Sequence, residues 1–199
     1  MTKDEVVYEI TKRAWALGVS ILLSPDSHVY AEKNVPCSGY FDSEATPPQI
    51  VVATGQCEDK WLGILVHEYC HAEQWVEQCN AWVDADKAGD WHVVFDGKPV
   101  RDLKKKAALA RELEADNERR TIRLLKQLRA PVDIEKYIRA ANAYLHFYNL
   151  IPETKKWFAK EKGPYQIPEV LIEANATLDR DFSKTPAKLR KAILKYCYD

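Results

Sequence analysis

The feature that most constrains the fold is the segment WLGILVHEYCHAEQW, at residues 61–75. It contains His67 and His71, four residues apart, with Glu68 directly after the first histidine. Residues i and i+4 share a face of a helix, so this spacing directs two imidazoles to one point. Apolar residues on both sides of the motif predict that the helix is packed inside the protein. The chain must therefore bury a long helix with a polar cluster on one face.

The H-E-x-x-H spacing is typical of a zinc site. Two imidazole nitrogens on one helix face are suitable Zn²⁺ ligands, and Glu68 lies one step round the helix, where it can accept a proton from a water molecule. The alternative is an ordinary helix with two unrelated histidines. A third ligand decides between them, because catalytic zinc usually keeps three protein ligands and one open position.

The N-terminal part of the chain predicts one helix and a small sheet. Val6, Val7, Ile10, Ala14 and Leu17 recur at helical spacing, and Gly18 can end that helix. The runs SILLS, CSGYFD and QIVVAT are typical of short strands, and the turn-rich SEATPP joins the last two.

The remainder of the chain predicts helices. The H-E-x-x-H helix is expected from about residue 58 to 83, followed by an irregular stretch in which HVVF resembles a short strand. A second long helix is expected over about 102–129, a third after Pro131, and shorter ones around 153–162 and 168–178. Thr185 as N-cap and Pro186 at the first helical position predict a final helix.

These elements predict an α+β fold, mostly helical, with a small N-terminal β-sheet. The length of 199 residues suits a single domain. Its motif-bearing core is expected at about 36–130, and a helical C-terminal extension at about 131–199.

Composition excludes several function classes. A net charge of −1 gives no strong field, so neither nucleic acid nor an anionic membrane is an expected partner. Charged residues interrupt the first apolar positions, so no signal peptide is predicted, and no apolar run could span a bilayer. The five cysteines are odd in number and form no CxxC pair, which favours reduced thiols in a cytoplasmic protein. Cys70, inside the motif, is expected to face the core.

The centre of the second long helix offers the third ligand. The segment ELEAD contains Glu112, Glu114 and Asp116. Glu112 and Glu114 lie about 200° apart round a helix, so only one of them can face the metal. The competing interpretation is a solvated helix whose acidic residues pair with arginines, and we expect this for Glu114 and Glu118.

An H-E-x-x-H helix followed by E-x-x-A-D resembles the gluzincin metallopeptidases, and the layout over residues 36–130 is similar to the ImmA/IrrE-type family. The resemblance implies a zincin-like domain in which the H-E-x-x-H helix packs against a second, ligand-bearing helix. It implies Zn²⁺ held by the two histidines and Glu112, with Asp116 bracing a ligand histidine by a hydrogen bond. Glu68 would be the general base in cleavage of a peptide or protein substrate. HAEQW after the motif and the aromatic helix 131–150 depart from that pattern.

Three further residues are candidates for stabilising an oxyanion or contacting substrate: Tyr144, Tyr148 and His92. Ordinary aromatic packing is the competing interpretation for the two tyrosines. The function expected from the sequence is a zinc-dependent metallohydrolase, a peptidase. The alternative is a non-catalytic zinc-containing binding or interaction protein, against which the retained Glu68 argues, because a structural site needs no base there. The oligomeric state is not indicated.

Overall fold

The computed structural model describes residues 1–31 and 35–198. The chain divides into two compact units. The first consists of Met1–Cys79 and Asn117–Ile134, and the second of Asn80–Asp116 and Glu135–Asp199. Helices dominate, and the strands lie near the N-terminus, which confirms the predicted α+β class.

The first unit contains a three-stranded sheet and a two-stranded hairpin. In the sheet, β1 (Ser20–Ser24) runs parallel to the central strand β5 (Gln49–Ala53), and β4 (Gly39–Asp42) pairs antiparallel on its other side. The hairpin joins β2 (Val29–Ala31) to β3 (Val35–Cys37). The three strands predicted from SILLS, CSGYFD and QIVVAT are therefore β1, β4 and β5, while the hairpin was not predicted.

The central strand owes its position to its composition. Ile50, Val51, Val52 and Ala53 are all buried. A continuous apolar run of this kind suits a strand that has neighbours on both edges and is covered on both faces. This places β5 in the middle of the sheet and leaves β4 as an edge strand.

Helix α1 (Lys3–Ala16) packs beside the sheet. It begins with a capping box, in which Thr2 accepts from the Glu5 backbone N–H and the Glu5 carboxylate accepts from the Thr2 N–H. Val6, Ile10 and Ala14 are fully buried, as their helical spacing predicts. Gly18 follows with φ +75°, which ends the helix.

Helix α2 (Glu58–Glu77) carries the H-E-x-x-H motif. It buries residues on most of its faces, among them Leu62, Leu65, Val66 and Cys70. Cys70 faces the core as expected. The helix is shorter than the predicted 58–83, because Gln78 adopts a left-handed conformation with φ 48° and stops it. A separate helix, α3 (Asn80–Asp86), follows in the second unit.

Helix α4 (Leu103–Leu128) closely matches the predicted range of 102–129. It is a single uninterrupted helix, and the division between the two units falls inside it, after Asp116. Its second half lies against α2 in the first unit, where Arg120 forms an ion pair with Glu77 at 2.7 Å.

The second unit is helical. Phe147, Ile151, Val170, Leu189 and Ile193 are central members of its core. The stretch predicted as a strand, HVVF, is instead a 3-10 helix over His92–Asp96, ended by Gly97 with φ 77°. Besides α3 and the first half of α4, its α-helices are α5 (Ile134–Phe147), α6 (Ile151–Thr154), α7 (Pro168–Leu171) and α8 (Ala187–Tyr196); a second 3-10 turn covers Tyr148–Leu150.

Two predicted helices are much shorter than expected. The helix predicted at 153–162 is the single turn α6, because Lys155 takes a left-handed φ of 52°. The helix predicted at 168–178 stops at Leu171. The final helix begins one residue later than predicted, with Pro186 as its N-cap, because the Thr185 hydroxyl instead donates to the backbone oxygen of His146 at 3.2 Å.

Within the part of the chain that the structure describes, no helix is both long and apolar enough to cross a membrane.

Candidate metal centre

Helix α2 presents His67 and His71 side by side. Their ring centroids lie 4.8 Å apart, and the two rings are nearly perpendicular at 83°. Both side chains are half-buried. The arrangement follows from the four-residue spacing, which stacks the two side chains one turn apart on the same face.

A buried amide fixes the tautomer of His71. Its Nδ1 lies 2.9 Å from the Oε1 of Gln74, a fully buried residue three positions later. An amide oxygen only accepts hydrogen bonds, so Nδ1 must carry the proton. The lone pair of this imidazole is then on Nε2, the atom available to a metal ion.

A buried carboxylate does the same for His67. Its Nδ1 lies 3.3 Å from Oε1 of Glu118, whose side chain is 6% exposed. The neighbouring Asn117 donates from Nδ2 to the backbone oxygen of His67 at 3.2 Å. A carboxylate behind a ligand histidine raises the basicity of the ring and fixes its orientation. The second half of α4 therefore prepares His67 to present Nε2.

Glu114 completes the group of ligand-type side chains. It lies one helical turn before Glu118 on the continuous α4, so the two carboxylates share a face. Ligand atoms of His67, His71 and Glu114 all lie within 4.8 Å of one another. The ligand atoms of a tetrahedral zinc lie about 3.4 Å apart, a spacing that falls within the 4.8 Å limit of this group.

Glu112, the predicted third ligand, is not a member of the group of ligand-type side chains found among the described residues. The Glu112 carboxylate accepts from Arg111 at 2.8 Å, and its side chain is 52% exposed. Arg111 also donates to Asn149 in the second unit. Glu114 belongs to the group that contains the two histidines. Glu112 precedes it by two residues, so its side chain leaves the helix in a direction about 200° away around the axis.

Three further acidic residues of α4, Glu114, Asp116 and Glu118, had predicted roles. Asp116 lies two residues from both glutamates on the helix, whereas Glu118 contacts His67. Glu114 and Glu118 were expected to be solvent partners of arginines. Instead Glu118 is buried, and Arg111 pairs with Glu112.

Glu68 is buried at 8% exposure on the same helix as the two histidines. Its negative charge contributes, after desolvation by burial, to raising the pKa of the Cys37 thiol at the end of β3. The carboxylate therefore stands on the side of α2 that faces the strands of the first unit.

Strand β4 approaches this part of α2 closely at Gly39. A Cβ atom added there would lie 2.6 Å from Cγ2 of Ile64 and 3.0 Å from the backbone oxygen of Val51. The Cγ of Glu68 would be 3.5 Å away. Glycine therefore permits the edge strand to pack directly beside Glu68.

Tyr144 and Tyr148 lie together in the second unit, with hydroxyl oxygens 3.1 Å apart. Burial raises the pKa of both phenols well above the usual value, and the charge of Glu114 adds to the effect. Both hydroxyls are therefore protonated at neutral pH and can donate hydrogen bonds. His92, by contrast, is exposed and stacks on Trp91 with a centroid distance of 4.1 Å.

Two residues of the centre were missed by sequence reasoning. Gln74 gave no signal beyond its position three residues after His71. Glu118 gave one, because it repeats the acidic four-residue spacing after Glu114. Comparison of the chain with protein families, curated proteins and solved structures finds no match.

Proposed function

We propose that the chain is a zinc-dependent metallohydrolase that cleaves peptide bonds. The observation that carries the proposal is the convergence of His67, His71 and Glu114, with Glu68 on the same helix as the two histidines. The resemblance of the motifs to gluzincin peptidases supports the choice of an amide substrate.

The donor set fits Zn²⁺. Two imidazoles and one carboxylate form a set used by catalytic zinc sites, which keep a fourth position open. The Nδ1 protons of both imidazoles are held by Gln74 and Glu118, so both rings are oriented for metal binding through Nε2. When bound, Zn²⁺ supplies a Lewis acid that polarises a carbonyl group and makes water nucleophilic near neutral pH.

Glu68 is the general base of the proposed reaction. Its carboxylate accepts the proton of the attacking water and delivers it to the nitrogen of the leaving amine. Burial of Glu68 excludes competing water from this carboxylate.

The experiment compares three proteins: the wild type, Glu68→Gln, and the control Glu58→Gln on the exposed first turn of α2. We expect about one Zn²⁺ per chain in all three by elemental analysis. Glu68→Gln should lower cleavage of a mixed peptide library by at least about a thousandfold, because the amide cannot accept a proton. Glu58→Gln should cleave at the wild-type rate.

Three outcomes overturn the proposal. Absence of zinc, even after titration, removes the metal centre. Full activity of Glu68→Gln removes the assigned base. Zinc binding without cleavage of any peptide supports a non-catalytic zinc-containing binding protein instead.

A further inference from the structure

The outer face of α1 carries two large exposed aromatic side chains. Val6, Ile10 and Ala14 point into the first unit, whereas Tyr8 and Trp15 are 71% and 70% exposed. The two lie seven residues apart, which places them on one side of the helix. Single exposed apolar residues are common, but an aromatic pair on one helix face marks a candidate interaction surface.

The face has a mirrored pattern. In order along the chain the series is Met1, which precedes the helix, followed on the helix by Asp4, Tyr8, Lys12 and Trp15, each three or four residues from the next. Tyr8 is the centre of this series. The apolar residues lie at its two ends, and an acidic and a basic residue flank the tyrosine at equal distances. A stripe of this kind is complementary to itself when a second copy runs in the opposite direction.

We infer that α1 docks antiparallel against α1 of a second copy of this chain, with the two-fold axis at Tyr8. In such an isologous interface, a contact made by one copy is repeated by the other. Asp4 then faces Lys12 of the second copy, and Lys12 faces its Asp4. Trp15 reaches the Met1 end of the opposite helix, and the two Tyr8 rings meet on the axis.

A surface depression lies where the opposing tryptophan arrives. It has a volume of about 470 Å³ and is lined by Met1, Asp4, Glu5, Tyr8 and Glu9. The depression is shallow and open, so an aromatic side chain of a second copy could lie against it without being enclosed. Its acidic rim also suits the partially positive edge of an aromatic ring and its N–H group.

The charges on the face are available for such a contact. Among residues 1–31 and 35–198, neither Asp4 nor Lys12 forms an ion pair. Other charged residues of α1 already have partners, since Arg13 binds Glu9 at 2.9 Å and Lys3 binds Glu58 at 3.5 Å. Charge complementarity therefore favours a second copy over an unrelated partner.

The size of the face sets the strength of the dimer. Tyrosine and tryptophan bury about 150–250 Å² each, so these two rings and their neighbours supply less than the roughly 800 Å² per partner of a standard interface. We therefore expect a weak dimer, with a dissociation constant on the order of 100 µM, which forms at high protein concentration.

The test uses sedimentation velocity from about 10 µM to 1 mM with the wild type, Asp4→Lys, Lys12→Glu and the control Lys98→Glu. Each of the first two variants opposes like charges twice across the axis and should weaken association by about tenfold or more. An equimolar mixture of Asp4→Lys and Lys12→Glu pairs opposite charges again. The mixture should regain association to within about threefold of the wild type.

Circular dichroism of each variant checks that the fold is retained. The inference is overturned if the wild type stays monomeric at 1 mM, if either single variant associates like the wild type, or if the mixture fails to recover. Loss of association in Lys98→Glu, which lies outside α1, also contradicts it. None of these outcomes depends on metal binding or hydrolysis.

Discussion

Two histidines of this protein, the half-buried His67 and the buried His146, each face a carboxylate, one in each unit. His67 lies 3.3 Å from Glu118 in the first unit, and His146 lies 2.8 Å from Asp179 in the second. The pairs differ in what surrounds the other ring nitrogen. His67 belongs to a group of ligand-type side chains, whereas the Nδ1 of His146 is buried without a hydrogen-bond partner among the described residues.

The surroundings of His146 are those of a structural connection. The neighbouring Asn142 donates to the backbone oxygens of Asn175 and Thr177, both at 2.9 Å, and accepts from the N–H of Asp179. Phe182 packs against the His146 ring. Asn142 and His146 of α5 thereby anchor the segment before α8, so these polar side chains have a structural role.

The comparison shows that a carboxylate partner alone does not identify a metal ligand. It orients either ring equally well. What separates the two is the group of ligand-type side chains to which His67 belongs and in which, among residues 1–31 and 35–198, His146 has no part.

Glu114→Ala should weaken zinc binding by about a thousandfold, because binding of roughly 10–16 kcal/mol is shared among a few ligands. Glu112→Ala is the matched control on the same helix and should stay within about twofold of the wild type. Competition with a chelator measures both affinities. The reverse ordering of the two variants would restore Glu112 as the ligand.

His146→Ala should lower the free energy of unfolding by about 3 kcal/mol, since it removes a fully buried ring and its hydrogen bond. Zinc affinity should be unchanged. Urea denaturation and zinc titration give the two values, and His28→Ala, at an exposed position, serves as the control. A folded variant that has lost zinc would contradict the structural role of His146.

Glu118→Gln should weaken zinc binding by about 10–100-fold, the usual cost of losing a carboxylate behind a ligand histidine. Asp179→Asn makes the equivalent change behind His146 and should leave zinc affinity unaltered. The same chelator competition measures both. Equal effects of the two variants would remove the distinction between the pairs.

The smallest expected effect is a pH dependence of the free energy of unfolding that arises from His146. Burial lowers the pKa of His146, with hydrogen bonding to Asp179 opposing and the charge of Arg111 adding to the effect. The unfolded chain therefore binds a proton more readily than the folded one. The stabilisation is complete above the unfolded pKa of about 6.5 and is lost as pH falls from there through the lowered folded value.

The measurement is the free energy of unfolding of the wild type and His146→Gln between pH 8 and pH 5. The difference between them should be constant above about pH 6.5 and should shift against the wild type below it, by up to about 1.4 kcal/mol per pH unit. A difference that stays constant throughout this range would show that His146 does not titrate differently on folding.

The sequence predicted those parts of the molecule in which local pattern and tertiary packing agree. The spacing of Val6, Ile10 and Ala14 predicted the buried face of α1, and the apolar run of β5 predicted a strand. The strand prediction for HVVF was wrong. These residues have high strand propensity but form a short 3-10 helix that ends at Gly97. The helix predicted at 153–162 is much shorter because Lys155 leaves the helical conformation.

The site was predictable on α2 but not on α4. The spacing of His67 and His71 defines their common face within a single helix. In α4, acidic residues occur on opposite faces, so the sequence leaves the choice between Glu112 and Glu114 to the rotation of the helix about its axis. That rotation is set by tertiary contacts such as Glu118 with His67 and Arg120 with Glu77. Local pattern contains no information on them.

The close approach of β4 to α2 has a consequence for how this sequence can diverge. The space that a Cβ at Gly39 would need is occupied by the Cγ2 of Ile64. A larger residue at position 39 therefore requires both a smaller residue at position 64 and a small shift of β4 away from the backbone oxygen of Val51. The two positions are far apart in the chain, yet they are expected to covary in any set of descendants that keeps the edge strand beside Glu68.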